Sequence, residues 1–201
     1  MITREEALKF LNEKVENKNI IKHMLAAEVL MRALALKLKT HSPAGGSNVK
    51  TGEEINEDEW AIAGLLHDGD YCPEVSAERQ GVQISQWLKE KGYEIPENVV
   101  YTMAAHNHAT GVKPQSLMDW ALFCADPLTG LIVTTALVMP DKKLASVKPE
   151  SIIKKLADPS FARGTRREDL KMCEKKLAIS LQEFVKIGLE SMQKISQELG
   201  L

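Results

Sequence analysis

His67 and Asp68 stand next to each other at the end of the apolar run Trp60-Ala-Ile-Ala-Gly-Leu-Leu66, and Gly69, Asp70 and Tyr71 follow. An imidazole and a carboxylate at the end of a buried helix are costly unless they are paired or bound to a metal. Alone, the pair reads as an ordinary polar helix end. It is not alone: His23 lies upstream on a helical stretch, His106 and His108 lie downstream, and Asp126 follows an apolar segment. The competing reading for His23 is a buried histidine bonded to a carbonyl, and for Asp126 a structural salt bridge. An unpaired Asp126 in that apolar context would be expensive. Borderline-soft imidazole nitrogen combined with hard carboxylate oxygen suits Mn, Fe, Co, Ni or Zn better than Ca.

The ordered set His23 … His67-Asp68 … Asp126 resembles the HD superfamily of metal-dependent phosphohydrolases, over about residues 18–140. The phrases Gly64-Leu-Leu-His-Asp-Gly-Asp-Tyr71, Ala105-His-Asn-His-Ala-Thr-Gly111 and Ala125-Asp-Pro-Leu-Thr-Gly-Leu131 are similar to a bacterial subgroup of HDIG-type hydrolases. The resemblance implies an all-α helical bundle in which residues matching His23, His67, Asp68 and Asp126 hold a divalent transition metal, one per chain. Such a site keeps open positions for water and a phosphate oxygen; the metal lowers the pKa of the water and polarises the phosphoryl group. Asp68 then belongs to the catalytic centre, and Asp70 or His106 is the candidate to move a proton or hold the water. His106 is expected to face the site, while His108 is left open. Two-metal relatives carry a further histidine where this chain has Gln80, a poor ligand by comparison, and that departure argues against a second metal.

The activity implied is that of a phosphomonoesterase on a nucleotide or another small phosphate, with Arg163, Arg166 and Lys143, and also Lys142, as candidates to clamp the phosphate. Two other readings stay open. The same fold houses di-iron oxygenases, to which His106 and His108 would add imidazole, and a metal-stabilised binding or regulatory module would need no turnover.

Composition sets the outer limits. The chain has 201 residues, 44% hydrophobic and 27% charged, with a net charge of −2. This suits one domain spanning 1–201, with a helical extension over about 149–200. Nothing global points to nucleic acid or an anionic membrane, and no basic patch with interleaved aromatics appears. Charge is local instead: residues 141–176 hold eleven Lys and Arg against six Asp and Glu, a phosphate-binding surface if that segment folds over the ligand cluster. Three widely spaced cysteines, Cys72, Cys124 and Cys173, make no disulfide or zinc-ribbon pattern, and the polar start lacks a signal-peptide pattern. The expectation is a reduced, cytoplasmic protein. The longest strongly apolar stretch, Leu131 to Met139, is too short to span a bilayer.

From the N-terminus, Thr3 with Glu6 forms a capping-box pattern and predicts a helix over about 4–16. Apolar residues at three and four predict a helix over about 19–39, with Glu28 and Arg32 pairing on its outer side. His41 and Pro43 to Gly52 read as a loop, and Asn56 caps the helix that ends in His67. Further helices are expected over 77–91, 97–106 and from Ser116 to a stop at Pro127. Leu128 to Val138 is expected as a separate buried helix, with a strand as the alternative. After a turn at Pro140, Pro149 to Leu156 is a short helix, and Glu168 to Leu199 one long amphipathic helix, a core stripe or a homodimer seam.

Overall fold

The computed structural model describes residues 2–40 and 55–201, and the expected loop at His41 to Gly52 lies outside the described residues. Within them every regular element is helical: α1 Arg4–Lys14, α2 Lys18–Thr40, α3 Glu57–Leu66, α4 Gln83–Glu90, α5 Glu97–Ala105, α6 Leu117–Leu137, α7 Pro149–Leu156, α8 Arg167–Leu177, α9 Leu181–Lys194 and α10 Ser196–Leu199, with three short 3-10 turns. Local chemistry starts these helices where expected. Thr3 and Glu6 close a capping box on α1, Asn56 accepts the N–H groups of Asp58 and Glu59 on α3, and Ser116 and Asp119 close a second box on α6.

Helix α6 is the central post. Its buried face carries Ala121, Leu122, Cys124, Ala125, Leu128, Leu131 and Ile132, and α2, α5, α7, α8 and α9 pack around it. By length and composition its 21 residues suffice to cross a membrane, yet 67% of the apolar window is buried inside the chain's own fold. Pro127 sits within this helix and does not stop it. A proline there deletes one i→i−4 hydrogen bond and normally costs about 3 kcal/mol. Burial of Leu128, Leu131, Ile132 and Ala136 immediately after it carries the helix on, so the two expected segments are one.

Helix α3 lies against α2 at a contact only glycine permits. A Cβ on Gly64 would sit 2.7 Å from the Ala27 carbonyl oxygen and 2.9 Å from the Glu28 backbone nitrogen. Neighbouring Glu28 is buried, and its carboxylate takes Arg4 of α1 at 2.5 and 3.0 Å. The expected Glu28–Arg32 pair does not form; Arg32 pairs with Asp58 of α3 at 2.8 Å instead. Both ion pairs therefore tie α2 to other helices. Helix α5 is bound to α6 by the buried Thr102 hydroxyl, which donates to Asp119 at 2.5 Å.

Two expected helices break. The 77–91 segment is a 3-10 turn, Ala77–Arg79, followed by α4, with Gly81 at φ 85° between them. The long C-terminal helix is three helices. Ala178, in the left-handed region at φ 54°, ends α8, and the Ser180 hydroxyl accepts the Glu183 N–H to start α9. The break lets Leu170, Cys173 and Leu177 bury on α8 while Phe184, Val185, Leu189 and Met192 bury on α9, which packs on α2 and α7 as well as α6. A straight helix would hold one direction. The cores of these pieces join a single apolar cluster running from Ile2 to Leu199.

The cysteines are free. Burial pushes the Cys173 thiol up to about 12 and the Cys124 thiol well above its ordinary range. In the native protein both are expected to resist a thiol-specific reagent, leaving the part-exposed Cys72 as the one group labelled without denaturant. Three equivalents taken up under native conditions would contradict this packing.

Candidate metal centre

Four helices bring their polar groups to one point. His23 comes from the second turn of α2, His67 is the residue that closes α3, His106 closes α5, and Asp126 lies in the middle of α6. Asp68 follows His67. Nε2 of His23 lies 3.1 Å from Nε2 of His67, 3.0 Å from an Asp126 oxygen and 3.5 Å from an Asp68 oxygen. Nε2 of His106 lies 3.4 Å from the other Asp68 oxygen. Two overlapping triplets result, His23–His67–Asp126 and His67–Asp68–His106, and His67 belongs to both.

The outer nitrogens explain why the inner ones converge. Nδ1 of His67 lies 2.8 Å from the Gly64 carbonyl and Nδ1 of His106 lies 2.5 Å from the Met103 carbonyl; a carbonyl can only accept, so each Nδ1 carries the proton. The Thr129 hydroxyl donates to the Asp126 carbonyl at 2.8 Å, which leaves its oxygen to accept from Nδ1 of His23 at 2.9 Å. In the neutral rings all three Nε2 atoms then present lone pairs to one another and to two carboxylates. Such a set is repulsive when empty of positive charge, and protein ligands oriented through their outer nitrogens are the usual build of a metal site. The donors present therefore fit a divalent cation.

The electrostatics agree. Burial, with His106 and His23 alongside, lowers His67 to about 4, so it is neutral at neutral pH. For His23 burial works against the charged ring, but the hydrogen bond and charge of Asp126 prevail and raise its pKa; Asp68 does the same for His106. Burial also opposes ionisation of Asp68 and Asp126, yet the imidazoles beside them hold both carboxyl groups below the ordinary range. In metal-free protein, protons on His23 and His106 stand in for the cation where the pH lies below those raised values. Their pairing with the carboxylates stabilises the fold below pH 6.5, and this contribution is lost as pH rises through the raised values. Metal must displace those protons. Affinity for Mn(II) or Zn(II) is accordingly expected to rise with pH through the neutral range, with protons released on binding. Calorimetry in two buffers of different ionisation enthalpy checks it; pH-independent affinity would contradict the raised pKa of His23 and His106.

The other candidates separate. Asp70 is, with His106, a candidate to move a proton or hold the water, but its buried carboxylate accepts the N–H of Gly81 at 2.8 and 3.0 Å and that of Ile84 at 2.9 Å. It serves as a cap for α4, whose own flanking residue, Val82, offers none. Removing it as Asp70→Ala leaves two backbone donors unpaired, at about 1–3 kcal/mol each. Urea unfolding is expected to show that loss while metal content persists. Full stability with loss of turnover would return Asp70 to the chemistry.

His108 is turned outward, 53% exposed, and its Nε2 pairs with Asp169 at 2.7 Å. Gln80 reaches the Val75 carbonyl at 3.4 Å and lines a separate cleft of about 780 Å³ with Tyr71, Cys72 and Trp87. Lys143, expected as a phosphate clamp, is exposed beside the 3-10 turn Leu144–Ser146 and does not line the cleft at the ligand cluster. Arg163 and Arg166 do. That cleft, about 360 Å³, runs from His23 and Asp126 past Pro127, Gly130 and Thr134 to residues 162–166. Arg166 is already committed, with Nη2 on the outer Asp126 oxygen at 2.5 Å and Nε on Asp169 at 2.8 Å. It orients a candidate ligand carboxylate, a role that spacing alone does not reveal.

An all-helical bundle that aims three imidazoles and two carboxylates at one point is a helical protein with a candidate metal centre. The HD domain family model matches residues 20–159, and the chain belongs to that family. Membership places it in a superfamily of metal-dependent phosphohydrolases whose domains bind divalent metals, in agreement with the ligand cluster. No curated protein and no solved structure matches the chain.

Proposed function

We propose that the chain is a metal-dependent phosphomonoesterase acting on a nucleotide or another small phosphate. The observation that carries this reading is the convergence of three Nε2 lone pairs and two carboxylates, of which His23 and Asp126 line a cleft that also holds Arg163. When bound, a divalent metal supplies Lewis acidity toward a phosphoryl oxygen and acidifies a coordinated water.

The residues would divide the remaining work. His23, His67, Asp68 and Asp126 hold the cation, and His106, beside Asp68 at 3.4 Å, either joins them or holds the attacking water and takes its proton. Arg166 keeps the outer oxygen of Asp126 occupied, so its inner oxygen faces His23. Arg163 is exposed and makes no hydrogen bond or ion pair among the described residues, which leaves its guanidinium available to a phosphate. A cleft of about 360 Å³ suits a small ester rather than a polymer.

The test is metal analysis by plasma mass spectrometry on protein as purified, followed by a screen of nucleoside monophosphates and p-nitrophenyl phosphate with added Mn, Co, Ni or Zn. About one metal per chain and metal-dependent phosphate release support the proposal. Metal uptake with ligand-dependent thermal stabilisation but no turnover would favour a regulatory module instead.

A further inference from the structure

The connection between α7 and α8, residues 157–166, has no helix or strand and supplies half of the cleft wall. It ends in arginines with three different employments. Arg163 is unengaged, and Arg166 holds Asp126. Arg167, the first residue of α8, turns its whole guanidinium onto the backbone of the loop that precedes it. Nε donates to the Leu156 carbonyl at 3.0 Å, Nη1 to those of Ala162 at 3.4 Å and Thr165 at 3.3 Å, and Nη2 to those of Asp158 at 2.9 Å and Phe161. All five donors of the group are used.

What this clamp maintains is an uncommon backbone. Ala162 sits at φ 44°, in the left-handed region, and the Thr165 N–H closes a turn onto its carbonyl at 2.9 Å. A non-glycine residue there costs about 1 kcal/mol or more and persists where the surroundings over-determine it. The turn carries Arg163 and Gly164 at its tip. Both line the cleft, and among the described residues neither backbone N–H has a hydrogen-bond partner. An unengaged guanidinium and two open amides grouped on one turn make a concavity for an anion.

We propose that Arg167 is the positioning residue of an anion-binding loop, residues 158–166, which presents Arg163 and the N–H groups of Arg163 and Gly164 to the phosphoryl group of the substrate. The inference rests on the phosphoesterase reading for the identity of the anion. Arg167 touches no substrate; it acts by fixing where Arg163 hangs. Lysine cannot replace it, because one ammonium cannot reach five carbonyls spread around a planar fork.

The test is a double-mutant cycle on the metal-loaded protein, with inorganic phosphate as the probe and calorimetric Kd as the readout. Arg163→Gln is expected to weaken phosphate about ten- to hundredfold, the range of a lost charged hydrogen bond. Arg167→Gln and Arg167→Lys are each expected to match most of that loss with unchanged metal stoichiometry. In the Arg163→Gln background, Arg167→Gln is expected to cost less than it does alone, because the part of its effect that passes through the Arg163 guanidinium is already lost and only the two backbone N–H groups remain to be displaced. Wild-type phosphate affinity in a folded Arg167 variant, or losses that simply add, would overturn the proposal. So would wild-type affinity in Arg163→Gln, which keeps the test decisive if the Arg167 variants do not fold. Loss of the hydrolase reading would show differently, as tight phosphate binding without turnover of any ester.

Discussion

His67→Ala is expected to remove bound metal and phosphate hydrolysis together, with turnover lower by at least about a thousandfold, some 4 kcal/mol of barrier. No other side chain belongs to both ligand triplets, and none in the cluster is more deeply buried. Its ring is held from the outside by the Gly64 carbonyl and flanked by the rings of His23 and His106, at centroid distances of 5.0 and 4.8 Å. Truncation deletes one donor and frees the other two from their common neighbour. Because the change also opens a cavity, Asp68→Asn is the companion variant: it keeps the shape and removes the charge that His106 and His23 face. Metal content by plasma mass spectrometry and phosphate release should fall in both variants while each stays helical by circular dichroism. Hydrolysis that survived both changes would separate the reaction from this cluster.

Gly64→Ala is the second large effect, and it acts through backbone contacts rather than by removing a candidate ligand. The added methyl would meet the Ala27 carbonyl oxygen at 2.7 Å, the Ala27 carbonyl carbon at 2.8 Å and the Glu28 nitrogen at 2.9 Å. All three are backbone, so no side chain can swing aside and α3 must move off α2. Overpacking of this kind costs about 1–3 kcal/mol. The displacement also carries the Gly64 carbonyl, and with it the ring of His67, away from His23, which sits one helical turn before Ala27. A shift near 1 Å in such a site costs about a hundredfold in function. The expected result is a lowered urea midpoint in the metal-free protein and weaker metal binding in the same variant. Wild-type values for both would mean that the helices have slack the present contact does not show.

The Gly81 turn makes the same point at the other side of the site. Its φ of 85°, and a Met103 carbonyl oxygen against the place where a Cβ would stand, keep the ring of His106 beside the loop that Asp70 ties down. Close backbone approach at Gly64 and at Gly81 lies beside two of the three histidines, His67 and His106.

Helix periodicity and caps were enough to locate α1, α2, α3, α5 and α7 and to put His67-Asp68 at the end of a buried helix, because those signals are local. The order His23, His67-Asp68, Asp126 was legible for the same reason: each residue stands on a helix whose apolar face can be counted. The break at 178–180 also left a trace, the Ser180 … Glu183 capping pattern, which the longer apolar stripe on either side obscured. Which of two histidines faces the cluster was not local. His106 and His108 are two residues apart, yet one closes a helix against Met103 and Asp68 while the other pairs with Asp169 from α8. Asp70 looked like an acid for catalysis until Gly81 and Ile84 occupied it, and Pro127 looked like a stop until the surrounding helices buried Leu128, Leu131 and Ile132 beyond it. Composition and spacing decide which groups a helix offers and on which face. Only the meeting of helices distant in sequence decides which of those groups lose water together, and in this chain that desolvation, with the two carbonyls and the Thr129 hydroxyl that turn the imidazoles inward, separates a candidate ligand from a surface histidine.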